Sequence, residues 1–414
     1  MSTGQNIAIT GAGIGGLAAA ALLSRDGHRV TVFDQFPEPR PIGSGLVIQP
    51  VGQAVLALAG AAEAALALGR PITRMSGIEV EHGRRVLDVT YDRPGGPRFG
   101  LAIHRAALFG ALHAAALAAG ARIITGTPIA ESVVIPGWRS LRSRDGRHFG
   151  PYDLVVDAAG AGSPLSPLRA RPLPYGAVWA TVPWPAATAL PPGELVQRYH
   201  RASRMAGILP LGRITPGGAD LAAVFWSLPR AALDTWPETD MAAWKAQALT
   251  LWPDLAPFLE PLRTPQDLAV ARYTHGTLWR PYRRNLVHIG DAAHRASPQL
   301  GQGANMALLD ALALAQALRA APDTPGPAYA RMRRWHVQMY QAASAAFTPQ
   351  YQSDSRSLPV LRDRLLTPLS RLWPIPRILT RLVGGDLIPP LAGVDFPPRK
   401  AQAAPLPAQP EKAP

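Results

Sequence analysis

The chain has 414 residues, 47% of them hydrophobic and 17% charged, enough apolar material for more than one core. It has no cysteine, which excludes disulfides, thiolate metal sites and thiol redox chemistry, so any electrons handled here must ride on a bound cofactor. The net charge is +14, and arginine supplies all but three of the 42 basic residues; with no dense basic run interleaved with aromatics, nucleic acid is not an expected partner, and the anions left are cofactor phosphates, acidic substrates or a membrane surface.

Asn6–Thr10 reads as a short apolar strand, Ile14–Arg25 as a helix of small residues and Arg29–Asp34 as a second strand, a βαβ unit with a right-handed crossover. No basic-plus-apolar leader precedes it, so a cytoplasmic location is expected. No run of 18 residues lacks a charge or a turn former, so a spanning helix is not. Gly77–Glu81 and Arg84–Tyr91 flank His82-Gly83 as a hairpin. Helical spacing returns over His104–Ala119. Arg122–Thr125 rejoins the first sheet, Ile129–Ser143 makes an antiparallel excursion and Asp153–Ala158 is another buried strand. Between Pro172 and Pro281 prolines divide the chain into short alternating runs, among them Ala177–Val182, Leu195–His200 and Leu221–Leu228, with one helix near Met241–Leu251. Leu286–Gly290 returns to the first sheet, and helices follow from Gly303 and over Ala328–Phe347. Residues 401–414 read as a disordered tail.

Gly11, Gly13 and Gly16, with Gly15 between them, fit G-x-G-x-x-G after a strand and at the start of a helix. The first glycine permits the tight turn, the second lets backbone approach a pyrophosphate, and the third lets the helix pack on the sheet. The helix N-terminus offers N–H groups and a positive dipole end to the phosphates. Asp34, at the end of the next strand, is placed to accept hydrogen bonds from ribose hydroxyls. Nearly 300 positions on, Asn285–Gly290 leads into Asp291, an acid suited to the ribityl chain of a flavin. Ser297–Asn305 then brings bare glycine backbone to the N-terminus of an apolar helix, where the dipole would stabilise negative charge on a reduced flavin ring. The two segments together point to FAD. The expected fold class is therefore α/β: a Rossmann-like FAD-binding domain (1–72, 98–171 and 282–347) interleaved with a mainly antiparallel β-sheet substrate domain (73–97 and 172–281). A helical, Pro- and Arg-rich C-terminal segment (348–400) completes it.

With these residues in view the chain resembles the FAD-dependent aromatic-hydroxylase monooxygenases, the p-hydroxybenzoate hydroxylase type, over roughly residues 5–345. The anchors are Gly11–Gly16 with Asp34, the stretch Gly290-Asp291-Ala292-Ala293-His294 through Pro298–Asn305 to Asp310-Ala311, and His104–Leu108. The resemblance implies that Asp291 binds the ribityl or pyrophosphate region. It implies that Pro298, Gly301, Gly303, Ala304 and Asn305 border the isoalloxazine, and that Arg105 contacts FAD. Arg40–Gly45 resembles the segment passing under the flavin. It implies reduction by NADPH or NADH, then oxygen transfer from O2 through a flavin C4a-hydroperoxide to an electron-rich aromatic or polycyclic small molecule. One position departs from the pattern: Ala159 stands where the family carries an acid that touches flavin and pyridine nucleotide, and Asp157 lies about 7 Å away along the strand. A reductase or halogenase-like flavoenzyme reduced by a partner is the first alternative, although the lysine and Trp-x-Trp-x-Ile-Pro segment of halogenases are absent. A non-catalytic, membrane-associated FAD-binding protein is the second.

Trp179, Trp184, Tyr199, His200, Trp226, Tyr273 and His275 are candidates for a substrate pocket, with core packing the commoner use of such residues. Leu358–Val383 carries Arg362, Arg364, Arg371, Arg377 and Arg381 among Leu, Ile and Trp373. It reads as a solvated basic face packed on the core in preference to a weak membrane-surface element, since Pro368, Pro374 and Pro376 interrupt any long helix.

Overall fold

The computed structural model describes residues 4–38, 45–91 and 98–396. Most of Arg40–Gly45 and all of the 401–414 tail lie outside them. Six strands form the sheet that receives the glycine turn, in the order Tyr282–Arg283, Leu286–His288, Leu154–Asp157, Asn6–Thr10, Arg29–Phe33, Arg122–Ile124; all neighbours are parallel except the Tyr282–Arg283 edge. Central strands of such a sheet are covered on both faces, and Ile7, Ala8 and Ile9 are fully buried. Helices Ile14–Arg25, Arg105–Ala118 and Gly303–Ala320 share one core with Ile7 and Ile9. Alanines 18–21 let the first of these helices approach its neighbours closely. On the other face, Ala8, Phe33 and Val155 pack against Leu141 and Tyr152 of a three-stranded sheet, Ile129–Ile135, Trp138–Ser143 and His148–Tyr152.

Eight strands form the second large sheet: His294–Arg295, Ala269–Thr277, Arg171–Pro183, Leu221–Pro229, Arg204–Gly212, Glu194–His200, Arg74–Glu79 and Arg84–Thr90. Every neighbour is antiparallel except Glu194–His200 beside Arg74–Glu79. Alternation sorts its side chains. Val178, Ala180, Val224 and Trp226 face the helices between Arg230 and Leu262, while Trp179, Tyr199, Met205 and Phe225 face the other way. A small sheet of Gly45–Ile48, Gly100–His104 and Arg70–Ile72, together with helices Pro50–Ala59 and Ala62–Leu68, joins the layers.

The strand Arg204–Gly212 has no legible alternation because all but its first residue is buried. The helix expected to end at Phe347 runs from Pro325 to Tyr351 and takes in Pro349. Beyond it the chain runs without a gap through Ser357–Leu361, a π-helical turn Arg362–Leu366 and Thr367–Ser370, so Pro368 does not interrupt the helix as expected, because it falls in the first turn of its element. The chain breaks instead at 371–374, and Pro376 lies in the first turn of Ile375–Gly384. Its arginines 364, 371, 377 and 381 are solvated, but the expected packing of its apolar residues on the core is largely absent, because most of its large apolar side chains point outward. No helix among the described residues is long and apolar enough to cross a membrane.

Candidate cofactor and substrate site

The turn after Thr10 is glycine by steric necessity. Gly11 has φ +99°, donates its N–H to Phe33 O at 2.7 Å, and a Cβ there would stand 2.5 Å from Ala158 O. A Cβ on Gly16 would stand 2.0 Å from Gly11 O, and one on Gly15 would press Ala307 of the Gly303–Ala320 helix at 3.2 Å. Gly13, which precedes the first helix, is the opposite case: a Cβ there meets nothing within 4 Å. It borders a cavity of about 540 Å³ whose walls include Gly11, Asp34, Arg105, Ala159 and Gly160. This is the size of a ligand site, at the carboxyl ends of parallel strands, where ligands of open α/β sheets bind. Asp34 accepts the N–H of Ala12 at 2.7 Å and of Phe36 at 2.9 Å, so it fixes the turn while each oxygen keeps a lone pair for a hydroxyl. Arg105 opens the Arg105–Ala118 helix at the cavity wall, and the preceding His104 caps that helix by accepting the Ala106 N–H at 3.1 Å. Burial lowers the His104 pKa, which keeps the accepting ring neutral.

The second segment is held from behind. Gly290, at φ +57°, donates its N–H to Asp310 Oδ2 at 2.9 Å. Asp310 is fully buried and also pairs with His294 Nε2 and Arg333 Nε, each at 2.7 Å. Burial alone would raise the Asp310 pKa, but the facing His294 and Arg333 outweigh it and hold the carboxyl well below the usual range. Asp291 is exposed at the tip of this turn, and no hydrogen bond among the described residues engages its carboxylate. Pro298 begins a short 3₁₀ turn that Gly301 ends at φ +61°. Gly303 has open space where a Cβ would be, and Ala304 is half-buried. Asn305 differs from these: it is fully buried and faces the protein. Its Oδ1 accepts the Gln49 N–H at 2.8 Å, and its Nδ2 donates to Gly301 O at 2.9 Å and Val47 O at 3.2 Å. It therefore ties the glycine loop to the Gly45–Ile48 strand.

Gln49 supplies a donor that the sequence did not flag. Its Oε1 accepts the Tyr91 hydroxyl at 2.8 Å, while its Nε2, fully buried, has no partner among the described residues. A Cβ on Gly301 would lie 3.6 Å from that nitrogen. An orphaned donor beside a bare glycine loop at a helix N-terminus fits the carbonyl edge of a flavin ring, and the Gly13 side fits the pyrophosphate of the same dinucleotide.

Ala159 lines the cavity and donates its N–H to Asp157 Oδ1 at 3.2 Å. Asp157 is fully buried, holding Ser163 Oγ at 2.7 Å and His288 Nδ1 at 2.7 Å, so it does not replace the missing acid.

The pocket candidates divide by sheet face. Trp226 lies 6.2 Å edge-on from Trp244 and Trp184 lies 5.6 Å edge-on from Phe258, both in the core under the Arg230–Leu262 helices. His200 sits at the rim, paired with Glu81 at 2.8 Å. His275, also half-buried, has its pKa lowered by burial. On the inward face, Trp179 donates to Tyr273 Oη at 3.1 Å and packs, tilted, with its ring centroid 4.6 Å from that of Phe225, and Tyr199 donates to Gln197 Oε1 at 2.7 Å. The Met205 sulfur lies 3.8 Å from Gln197 Nε2 and 3.9 Å from Gln299 Nε2, so this face meets the Pro298–Gly301 loop. Gln197, Met205 and Phe225 went unread in the sequence; the alternation of Glu194–His200 was a signal for Gln197, whereas the almost wholly buried strands that carry Met205 and Phe225 offered none.

Residues 96–300 match the FAD dependent oxidoreductase family, and residues 9–40 an NAD(P)-binding Rossmann-like domain. The chain is 30% identical over 383 residues to the 2-heptyl-3-hydroxy-4(1H)-quinolone synthase of Mycobacteroides abscessus, covering 90% of this chain and 96% of that one. It is 30% identical over 358 residues to the kynurenine 3-monooxygenase of Xanthomonas euvesicatoria pv. vesicatoria, covering 77% and 73%. Among solved structures it superposes on Klebsiella pneumoniae HpxO complexed with FAD and uric acid with a TM-score of 0.77 at 20% identity, covering 92% and 98%. It superposes on Pseudomonas aeruginosa PqsL in complex with 2-aminobenzoylacetate with a TM-score of 0.72 at 23% identity, covering 84% and 96%.

Proposed function

Because the chain belongs to the FAD-dependent monooxygenase family of these quinolone synthases and kynurenine 3-monooxygenases, we propose that it places one oxygen atom of O2 on an electron-rich aromatic or polycyclic small molecule. The observation that carries this reading is the meeting of Gln299, on the glycine loop, with Met205, on the aromatic face of the second sheet. A ring substrate held against Trp179, Tyr199, Phe225 and Tyr273 is thereby set beside the ring end of the cofactor site. FAD, when bound, supplies the redox chemistry and the activation of O2.

The chain's own residues bind, orient and exclude water. Gly11, Gly13, Gly15 and Gly16 seat the pyrophosphate at the first helix N-terminus, Asp34 takes the adenosine ribose, and Arg105 adds positive charge at the cavity wall. Asp291 holds the ribityl chain. Pro298, Gly301, Gly303 and Ala304 border the isoalloxazine, and Asn305 positions that border through Gly301. The N-terminus of Gly303–Ala320 favours negative charge on the ring. Met205, Trp179 and Phe225 form a water-poor wall, which strengthens each polar contact at the reacting atoms.

We assign 1–72, 98–171 and 282–347 to cofactor binding and 73–97 with 172–281 to substrate binding. The pairing of Arg74–Glu79 with Glu194–His200 supports the second grouping. The reaction is placed in the cytoplasm, with 358–383 against a membrane surface. NADPH or NADH is the proposed reductant. Ala159 favours one second reading, an enzyme whose flavin a partner protein reduces.

Anaerobic mixing of the FAD-loaded protein with NADPH, then NADH, tests the reading. Bleaching of the oxidised-flavin absorbance, with oxygenated product formed from alkyl-quinolones or amino-substituted aromatic ketones once air is admitted, is the expected result. Bound flavin that neither nucleotide reduces, even with those substrates present, moves the assignment to the partner-reduced enzyme. Protein that binds no flavin overturns both.

A further inference from the structure

We propose that the C-terminal segment Ser357–Gly384 is a docking surface for an anionic lipid bilayer. The segment is built inside out. Its buried side chains include Arg362 and Thr380, while its large apolar residues face solvent: Val360, Leu361, Leu365, Leu366, Leu369, Leu372, Trp373 and Ile378. Trp373 is 77% exposed and Leu372 58%. These eight are more than half of the fifteen large apolar residues exposed among the described residues, yet they fall within nineteen positions. Large apolar side chains crowded into one short stretch and turned to solvent mark a contact site.

Loose packing does not explain the arrangement, because the inner side is pinned by polar contacts. Arg362 donates to Gln350 O at 2.8 Å and Asp363 Oδ1 at 2.6 Å, and its guanidinium lies 5.4 Å from the Tyr199 ring and 5.0 Å from the Tyr351 ring. Thr380 donates to Thr90 O at 2.8 Å, Tyr340 to Leu382 O at 2.7 Å, and Gln302 Nε2 to Val383 O at 2.7 Å. The outward surface is thus fixed in place.

Charge selects the occupant. Arg364, Arg371, Arg377 and Arg381 are exposed among the apolar residues, and the one acid between 357 and 384, Asp363, is spent on buried Arg362. Apolar side chains, an exposed tryptophan and arginines without carboxylates match an acyl and headgroup boundary carrying negative lipids. A second copy of the chain would bring like charges together. The contact of Gln302 with Val383 ties this surface to the glycine loop, so docking would hold the cofactor site near the lipid and favour substrates that partition into it. That consequence rests on the monooxygenase reading; the docking itself does not.

The test is flotation of the full-length, FAD-loaded protein with vesicles of phosphatidylcholine alone and of phosphatidylcholine with phosphatidylglycerol. The protein should float with the phosphatidylglycerol vesicles, do so less at high salt, and remain behind with phosphatidylcholine alone. Leu372→Ser with Trp373→Ser, and separately Arg371→Gln with Arg377→Gln, should each lower the bound fraction about tenfold with the flavin content and thermal transition unchanged. No flotation, equal flotation with both vesicles, or variants that float like the parent would overturn the proposal. So would a concentration-dependent dimer on gel filtration that the same substitutions abolish, since that assigns the surface to a second copy. Flavin content and turnover measured in the same samples report on the enzyme separately, so active protein that does not float sinks only the docking.

Discussion

Gly13 and Gly16 lie three residues apart in one turn and differ completely in their tolerance of a side chain. A Cβ on Gly13 enters open space at the cavity, and one on Gly16 collides with Gly11 O. Gly13→Ala should therefore fold as the parent and lose flavin, read as the ratio of flavin to protein absorbance after gel filtration. Gly16→Ala should also shift the unfolding transition, by about 2–3 kcal/mol, the scale of overpacking. The two acids of the second segment divide in the same way. Asp291→Ala removes an exposed carboxylate that holds nothing in the protein, so FAD occupancy should fall while the melting temperature stays. A mutant that keeps its full flavin through gel filtration removes Asp291 from the site. Asp310→Asn instead leaves buried His294 and Arg333 short of their partner and should cost about 3–5 kcal/mol. The glycines and Asp291 were legible because a turn or strand end next to them in sequence dictates their use. Asp310 and Asn305 were named only as parts of a motif, and Gln49 not at all, because all but one of their side-chain partners lie 16 to 258 residues away.

At the scale of elements, the strand Leu154–Asp157 ends with its acid turned inward and an alanine facing the cavity two residues later. Ala159→Asp restores a carboxylate where Asp157 cannot reach. It should speed anaerobic flavin reduction by NADPH or NADH about tenfold, the scale of one charge-assisted hydrogen bond. A stopped-flow trace with an unchanged rate would show that pyridine nucleotide does not use this position. The same strand shows what makes an element readable. Short buried runs bounded by turns, such as Asn6–Thr10, and half-buried alternating runs, such as Glu194–His200, carry their period in the sequence. Arg204–Gly212, buried on both faces, carries none, and Met205 on the aromatic face of the sheet was lost with it. The C-terminal helices show the converse. Their apolar content suggested packing on the core, and only tertiary structure could show that Arg362 takes the inner position while Leu372 and Trp373 take the outer one.

Across the whole molecule, one buried network joins parts of the chain that no local rule connects. Asp310 links the Gly290 turn to Arg333 of the Pro325–Tyr351 helix; Arg333 continues to Pro390 O at 2.7 Å and to His336 Nδ1 at 3.1 Å, and His336 Nε2 meets Gly385 O at 2.9 Å. Burial, and then the Arg333 charge, pull the His336 pKa down to about 3 from its ordinary 6.5. The unfolded chain therefore binds a proton at this residue below pH 6.5 that the folded protein refuses until near pH 3. Stability is complete above pH 6.5 and falls as pH drops through that window, by about 1.4 kcal/mol per pH unit. Asp310, also depressed, adds to the loss only below the ordinary aspartate pKa of 3.8. His336→Gln keeps an acceptor for Arg333 and a donor for Gly385 but cannot titrate. Urea unfolding of the two proteins between pH 6 and pH 4, at the order of the histidine window, should show the parent losing stability more steeply than the variant by the equivalent of one proton. Flavin release should follow the same curves, because the Gly290 turn hangs on Asp310. Equal slopes would mean that His336 is protonated in the folded protein, and the neutral ring at the centre of this network would have to be given up.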